Sequence, residues 1–165
     1  TDYYAYVIGI KADGTYTTEP FKKEFSTIAS VKSKISLSIG MTAWIWDEIF
    51  PNETNYTVSA TGEPYANVKA VYCKYFTGND EWAGKTASEI AESLQKEPEG
   101  LYGTASAGFR IARGTKFFVY FIGVDVDGIT TDITKVSHTA KAEGSSGTGM
   151  GKNVSIDKTE TIAVR

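Results

Sequence analysis

Residues 31–46 alternate between apolar and polar side chains, which is the pattern of a strand with one buried face. The apolar side chains stand at odd positions and end at Ile45. Trp44 and Trp46 stand at even positions, so a continuous strand directs both indole rings away from the core. Gly40 marks a point at which the stretch could divide into two strands.

The remaining pattern predicts further strands at 55–61, 67–76 and 103–111, with one helix before the last of them. Thr86-Ala87-Ser88-Glu89 is a capping box, in which the Thr hydroxyl accepts from the N3 amide and the Glu side chain returns to the cap. Apolar residues follow at helical spacing, so the helix is predicted over 86–95.

Residues 1–27 are similar to residues 115–141, and six of the first fourteen aligned positions are identical. The identical pairs are Thr1/Thr115, Tyr6/Tyr120, Ile8/Ile122, Gly9/Gly123, Asp13/Asp127 and Gly14/Gly128. Each copy has an aromatic and β-branched run that ends in Asp-Gly, which predicts a β-hairpin with a two-residue type I′ turn. One residue is then lost, so that Thr17-Thr18 aligns with Thr130-Thr131.

This repeat suggests how the chain is organised. We interpret residues 1–27 as the C-terminal hairpin of a preceding truncated repeat and residues 28–141 as one sandwich domain. Residues 142–165 are then a Gly/Ser linker followed by a terminal strand or tail. The alternative is that both hairpins belong to one sheet of a single domain.

Composition and charge narrow the fold and the partners. Ten Tyr, eight Phe, three Trp and frequent Thr favour strands. The net charge is −3 with both signs interleaved, so no basic patch is available for nucleic acid. No apolar run reaches the ~18 residues that a transmembrane helix needs. Cys73 is the only cysteine, so an internal disulfide is excluded. The cysteine content therefore neither indicates nor excludes an oxidising compartment.

The hairpin copies resemble the last two strands of a fibronectin type III domain. The second copy is preceded by Ile111-Ala112-Arg113-Gly114-Thr115-Lys116-Phe117, which is similar to the approach to that hairpin in the family, with Arg113 in place of a Pro. The chain is also similar to repeats of surface lipoproteins from Bacteroides-type bacteria, which carry a short helix in a stretch like residues 76–95.

The resemblance implies an all-β fold, an antiparallel two-sheet Ig/fibronectin-III-like sandwich with one short inserted helix. It implies a non-catalytic, extracytoplasmic binding or spacer module of a multi-repeat protein at the cell surface or anchored to the outer membrane. Adhesion or glycan capture is the expected activity, with glycans, host or cell-surface proteins and neighbouring repeats as partners and with no cofactor. Two alternatives are an accessory part of a glycan-degrading surface enzyme and a fimbrial subunit assembled by strand exchange.

Aromatic side chains are the strongest candidates for a binding site, because rings on a rigid sheet can stack on sugar faces or anchor protein contacts. The candidates are Trp44, Trp46, Trp82 and Tyr75. The alternative for the first two is that they pack under the 86–95 helix or against a neighbouring repeat.

Other chemistry is weaker in the sequence. Asp125, Asp127 and Asp132 offer oxygen ligands around a Gly turn, which makes calcium an alternative there. The only histidine, His138, is expected to be a surface or half-buried strand residue rather than a catalytic base. Cys73 is expected in the core.

Overall fold

The computed structural model describes residues 2–17, 19, 21–26, 31–97, 102–147 and 151–164. They belong to two compact units, Thr1–Val31 and Lys32–Arg165. The described chain is mostly β, with sheets that are antiparallel except for one short pairing and with one α-helix. The predictions of a β-rich chain and of a single helix are therefore confirmed.

The N-terminal unit is a single β-hairpin. Strand β1 (Asp2–Val7) pairs antiparallel with strand β2 (Phe21–Ser26), and Val7 lies opposite Phe21 at the end nearest the loop. A further bridge joins Ile10 to Tyr16 inside the loop. Where the structure describes them, the large apolar side chains of this hairpin are exposed, on both faces.

The C-terminal unit contains two sheets, which we call sheet A and sheet B. The strands of sheet A are β3 (Ser36–Ile45), β4 (Glu53–Glu63), β6 (Thr104–Ala112) and two short strands, β9 (Ser145–Ser146) and β10 (Lys152–Asn153). Their order is β10-β3-β4-β6, and β9 pairs parallel with β3. Strand β3 passes through Gly40 without a break, because its pairing with β4 continues on both sides of that residue.

Sheet B has four strands in the order β11-β8-β7-β5. They are β5 (Val68–Thr77), β7 (Lys116–Asp125), β8 (Ile133–Thr139) and β11 (Lys158–Ile162). A short 3-10 helix, Tyr65–Asn67, leads into β5. Strand β7 is buried almost throughout because it is central in the sheet and covered on both faces.

The inner faces of the two sheets form one hydrophobic core. Met41 and Ala43 of β3 and Val58 of β4 meet Val119 and Phe121 of β7 in the same buried cluster. The odd-numbered parity predicted for residues 31–46 is therefore the core-facing parity within β3, whereas Val31 lies before the strand and is 69% exposed. Packing of two sheets through alternate residues is what a sandwich requires.

A helix covers the other face of sheet B. Helix α1 (Ala87–Gln95) begins after Thr86, whose side chain accepts from the Glu89 amide while the Glu89 side chain returns to the Thr86 amide. This confirms the predicted capping box. Ile90 and Leu94 of the helix are buried against sheet B.

An acidic residue in the loop before the helix binds two side chains of sheet B on the face that the helix covers. The Asp80 carboxylate accepts hydrogen bonds from the Tyr120 hydroxyl at 2.8 and 2.9 Å and from the Lys135 ammonium at 2.5 Å. It also accepts from the Trp82 amide at 3.2 Å. Burial acts to raise the pKa of Asp80, but Lys135 and Tyr120 outweigh it, so the pKa lies below its ordinary value. We call these four residues the Asp80 clamp.

The segment after residue 141 adds strands to both sheets. Strands β9 and β10 pair with β3 at the edge of sheet A, and β11 pairs with β8 at the edge of sheet B. The described part of the Gly/Ser-rich stretch, residues 142–147 and 151–152, runs along the edge of sheet A, because its backbone groups find partners on β3. Val164 ends this path, and its amide donates to the Asp132 carboxylate at 3.1 Å.

The two hairpins have the same turn. Gly14 donates to the Lys11 carbonyl and Gly128 to the Asp125 carbonyl, both at 2.9 Å. Gly14 and Gly128 have φ of 82° and 83°, whereas the preceding aspartates do not have positive φ. A type I′ turn needs positive φ at both central residues, so that prediction is wrong. The pattern is a three-residue loop in which the glycine forms a G1 bulge.

The equivalence also moves the alignment gap. Thr17 donates to the Gly9 carbonyl at 2.8 Å, and Thr131 donates to the Gly123 carbonyl at 2.9 Å. Gly9 and Gly123 are 114 positions apart, as are Thr17 and Thr131 and the two turn glycines. Thr17 therefore corresponds to Thr131 and not to Thr130. The extra residue of the first copy lies after Thr17.

Candidate functional site

Trp44 lies on the outer face of sheet A, as its parity predicts, and is partly buried. It stands opposite Asn55 of β4, which in turn stands opposite Arg110 of β6. This row brings an indole, a carboxamide and a guanidinium together across three strands.

Between this row and the Ser36–Glu63 pair toward the opposite end, the outer face carries hydroxyl groups and glycines. Three successive rows cross the sheet, and we call them the hydroxyl face. The rows are Thr42–Thr57–Gly108, Gly40–Ser59–Ser106 and Ser38–Thr61–Thr104. A Cβ added at Gly40 or Gly108 would meet only a neighbouring hydroxyl, at 3.6 and 3.9 Å, so the surface above both glycines is open.

Most hydroxyls of this face have no partner within the protein. The Thr61 and Thr104 hydroxyls lie 3.1 Å apart and can share a hydrogen bond. In the part of the chain that the structure describes, the hydroxyls of Thr42, Thr57 and Ser59 bond to no other residue. Thr42 packs against Gly151, whereas Thr57 and Ser59 are partly exposed in the middle of the face and are therefore available to a polar ligand.

Trp46 lies just beyond the end of β3, at the end of the outer face that carries Arg110. Its ring makes an edge contact with Phe50 at 6.0 Å between centroids. The Arg110 guanidinium lies 3.4 Å from the Phe50 ring centroid, and its Nε is 2.7 Å from the Glu53 carboxylate. Trp44 and Trp46 thus belong to one end of sheet A, and neither packs under helix α1.

Trp82 and Tyr75 lie elsewhere. Trp82 is buried among Phe76, Tyr120 and the apolar residues of helix α1. It therefore occupies the place under the helix that the alternative interpretation assigned to the other tryptophans. Tyr75 is exposed at the edge of sheet B and stacks on Phe109 at 4.8 Å.

A cleft of about 620 Å³ lies where Tyr75 stands, between the unpaired edges of β5 and β6. Cys73 and Lys74 line it together with Glu97. Cys73 is partly buried and packs against the core, and burial raises the pKa of its thiol. A protonated thiol is a poor nucleophile, so the cleft offers no activated group of that kind.

The three aspartates of the calcium alternative do not converge. The Asp125 carboxylate accepts from the amides of Lys34, Asp127 and Ile129, and the Lys34 contact contributes most to a lowered pKa. Asp127 instead pairs with the Lys34 ammonium, and Asp132 receives the Val164 amide. Among the described residues, no group of three or more His, Cys, Asp or Glu side chains could hold a metal ion.

His138 is fully buried, so the expectation of a surface or half-buried residue is wrong. Its Nε2 lies 2.6 Å from the Glu143 carboxylate, and its Nδ1 lies 3.4 Å from the Asp157 carboxylate. The Tyr56 hydroxyl donates to the same Glu143 oxygen at 2.8 Å. Both carboxylates come from the segment after residue 141, so the cluster holds that segment to β8. We call it the His138 cluster.

Sequence reasoning missed the Asp80 clamp, the hydroxyl face and the His138 cluster. The hydroxyl face had a signal, because Ser, Thr and Gly occupy one parity of the segments 36–42, 57–61 and 104–108. The other two had none, since Asp80 lies 40 and 55 residues from Tyr120 and Lys135, and Tyr56 lies 87 residues from Glu143.

No protein-family model, no curated protein and no solved structure matches this chain in the three comparisons made. In the described residues, no helix is long and apolar enough to cross a membrane.

Proposed function

We propose that this chain is a non-catalytic, extracellular binding module of a multi-repeat bacterial surface protein, and that it captures neutral glycans on the outer face of sheet A. The observation that carries the proposal is the array of unpaired hydroxyls beside Trp44. The repeated hairpin supports the multi-repeat organisation, because its turn hydrogen bonds recur 114 residues apart.

The strand order supports an Ig/fibronectin-III-like topology for the C-terminal unit. In that topology strands A, B and E form one sheet and strands G, F and C the other. Strands β3, β4 and β6 correspond to the first set, and β8, β7 and β5 to the second, in the same order. Helix α1 lies in the connection between the C-like and E-like strands, in the stretch that resembles Bacteroides-type surface repeats.

The chemistry of the hydroxyl face favours a sugar over other partners. Covering an unpaired hydroxyl with an apolar partner costs about 1–3 kcal/mol. A polyol can instead donate to or accept from each hydroxyl, and Trp44 supplies a ring on which a sugar face can stack. The three hydroxyl rows themselves carry no charge, so they give no preference for an anionic or cationic partner.

The proposal is tested by screening the full chain against neutral and acidic glycans and measuring affinity by titration calorimetry. We expect weak binding to neutral glycans. Trp44→Ala should weaken it by two- to tenfold, since an aromatic contact contributes about 0.5–1.5 kcal/mol. Thr57→Val, which removes a hydroxyl at constant shape, should also weaken binding.

Two matched variants control for general effects. Tyr102 is exposed and lies in the connection before β6, and Thr77 is exposed at the edge of sheet B, so Tyr102→Ala and Thr77→Val should bind like the wild type. If no neutral glycan binds, or if Trp44→Ala binds as well as wild type, the glycan proposal is refuted and the module is better described as a spacer.

A further inference from the structure

The hairpin of residues 2–26 exposes apolar side chains on both of its faces. Tyr4, Tyr6 and Ile8 alternate along one face, and Val7 belongs to the other. In the described residues, β1 pairs with β2 alone, so its second edge has no strand. A two-stranded hairpin of this kind is at best marginally stable in water without a covering layer.

The second copy of the hairpin shows what covers such residues. Tyr6 is 67% exposed, whereas its counterpart Tyr120 is 1% exposed. Val7 is exposed, whereas its counterpart Phe121 is enclosed in the core between the sheets. In this second copy sheet A covers one face, helix α1 covers the other, and β5 pairs with the free edge.

A polar pair on the hairpin is repeated as well. In the second copy, Tyr120 and Lys135 lie opposite each other on neighbouring strands and together hold Asp80. In the first copy, Tyr6 and Lys22 lie opposite each other in the same way. Lys22 instead has its ammonium 3.8 Å from the centroid of the Tyr4 ring. The hairpin therefore keeps the two side-chain donors of an Asp80 clamp.

We infer that the hairpin of residues 2–26 closes a second sandwich, and that its partner is a preceding segment of the same polypeptide with the design of residues 32–114. That design is four strands with a helix, and the partner carries a carboxylate at the position of Asp80. The inference rests on the multi-repeat organisation of the proposed function. It adds the identity of the surface that covers the hairpin.

The test is a tandem protein in which residues 32–114 are placed directly before Thr1 of the full chain. Residue 114 then meets Thr1 as it meets Thr115 in the native chain. We expect two folded sandwiches, seen as a second cooperative calorimetric transition. Amides of β1 and β2 should exchange with solvent at least 100-fold more slowly than in the full chain alone.

A reference tandem of residues 32–141 followed by residues 28–165 carries the native hairpin in both halves. If the reference folds and the first tandem leaves its added segment unfolded, the inference is overturned. If the reference also has only one folded half, the multi-repeat proposal is overturned along with it.

The repeated polar pair gives a second readout. Asp80→Asn in the added segment should lower the melting temperature of that half alone. The same change should have little further effect once Tyr6→Phe and Lys22→Met are present, because the carboxylate then has no donors to lose. An equal loss in both backgrounds would overturn the assignment of Tyr6 and Lys22 to the clamp.

Strand exchange with a second copy is distinguished on the full chain alone. Sedimentation at increasing concentration should show no dimer that depends on the hairpin. A dimer that Tyr6→Asp abolishes would overturn the inference in favour of a second copy as the occupant.

Discussion

Replacing Asp80 by Asn is expected to lower the free energy of unfolding of the C-terminal unit by about 2–3 kcal/mol. Asn keeps the shape of the side chain and can still accept from Tyr120 and from the Trp82 amide. What is lost is the negative charge facing Lys135. The side chains of Asp80 and Lys135 are only 9% and 18% exposed, so water cannot replace that partner.

The magnitude lies between two limits. Hydrogen bonds to charged groups contribute about 1.5–3 kcal/mol, and breaking a fully buried ion pair costs about 3–5 kcal/mol. Urea denaturation followed by tryptophan fluorescence measures the difference in unfolding free energy. An unchanged dependence of that free energy on urea concentration shows that both proteins expose the same surface on unfolding. Asp80→Asn combined with Lys135→Met should recover part of the loss, since no uncompensated charge is then buried.

Glu92→Gln is the matched control. Glu92 pairs with Lys96 one helical turn away at 2.7 Å, and both side chains are largely exposed, so the loss should stay below about 0.5 kcal/mol. If Asp80→Asn costs no more than Glu92→Gln, the clamp does not stabilise the domain and the reasoning is refuted.

The pH dependence follows from the sign of the Asp80 shift. The folded pKa is lowered, so the stabilisation is fully present above the unfolded pKa of about 3.9 and is lost as pH falls through the folded pKa. The difference in unfolding free energy between wild type and Asp80→Asn should therefore be constant near neutral pH. It should become smaller as the pH falls below about 4. A difference that persists undiminished at strongly acid pH would contradict this assignment.

Two other changes have defined outcomes. Gly128→Val should destabilise the domain by about 1–2 kcal/mol in thermal unfolding, because its φ is positive although no atom lies within 4 Å of an added Cβ. Gly128→Asn should cost clearly less, and equal losses would show that backbone conformation is not the cause. His138→Phe should cost about 1.5–3 kcal/mol, because Glu143 and Asp157 lose their buried partner. Unchanged thermal stability would show that the His138 cluster does not hold the C-terminal segment.

The sequence predicted the strands well where one face is buried. The alternation along β3 placed Met41 and Ala43 inside and Trp44 outside, because a period of two allows only one choice of face. The helix was predicted for a similarly local reason, since the capping box and the helical spacing lie within ten residues.

Features that depend on distant contacts were not predictable in this way. Trp82 precedes the helix in a loop without periodicity, and its burial follows from the helix packing over it. His138 is buried because Glu143 and Asp157 approach it from a segment whose composition suggests a linker. The Asp-Gly dipeptide is compatible with two hairpin loops, so residue types alone did not select the G1 bulge.

The path of the C-terminal segment determines how the domain would carry mechanical load. Ser33 and Lys34 bond to Asp125, and Val164 bonds to Asp132, so both ends of the described C-terminal unit are held near the β7–β8 loop. Tension applied between residues 34 and 164 acts at this end of the sandwich and is not transmitted through the core. It would peel β11 from β8 one residue pair at a time, beginning with Ile162 opposite Ile133. The sandwich would then stay folded while β11 detaches and lengthens the chain by a few residues. Strand β11 would thus act as a compliant tether.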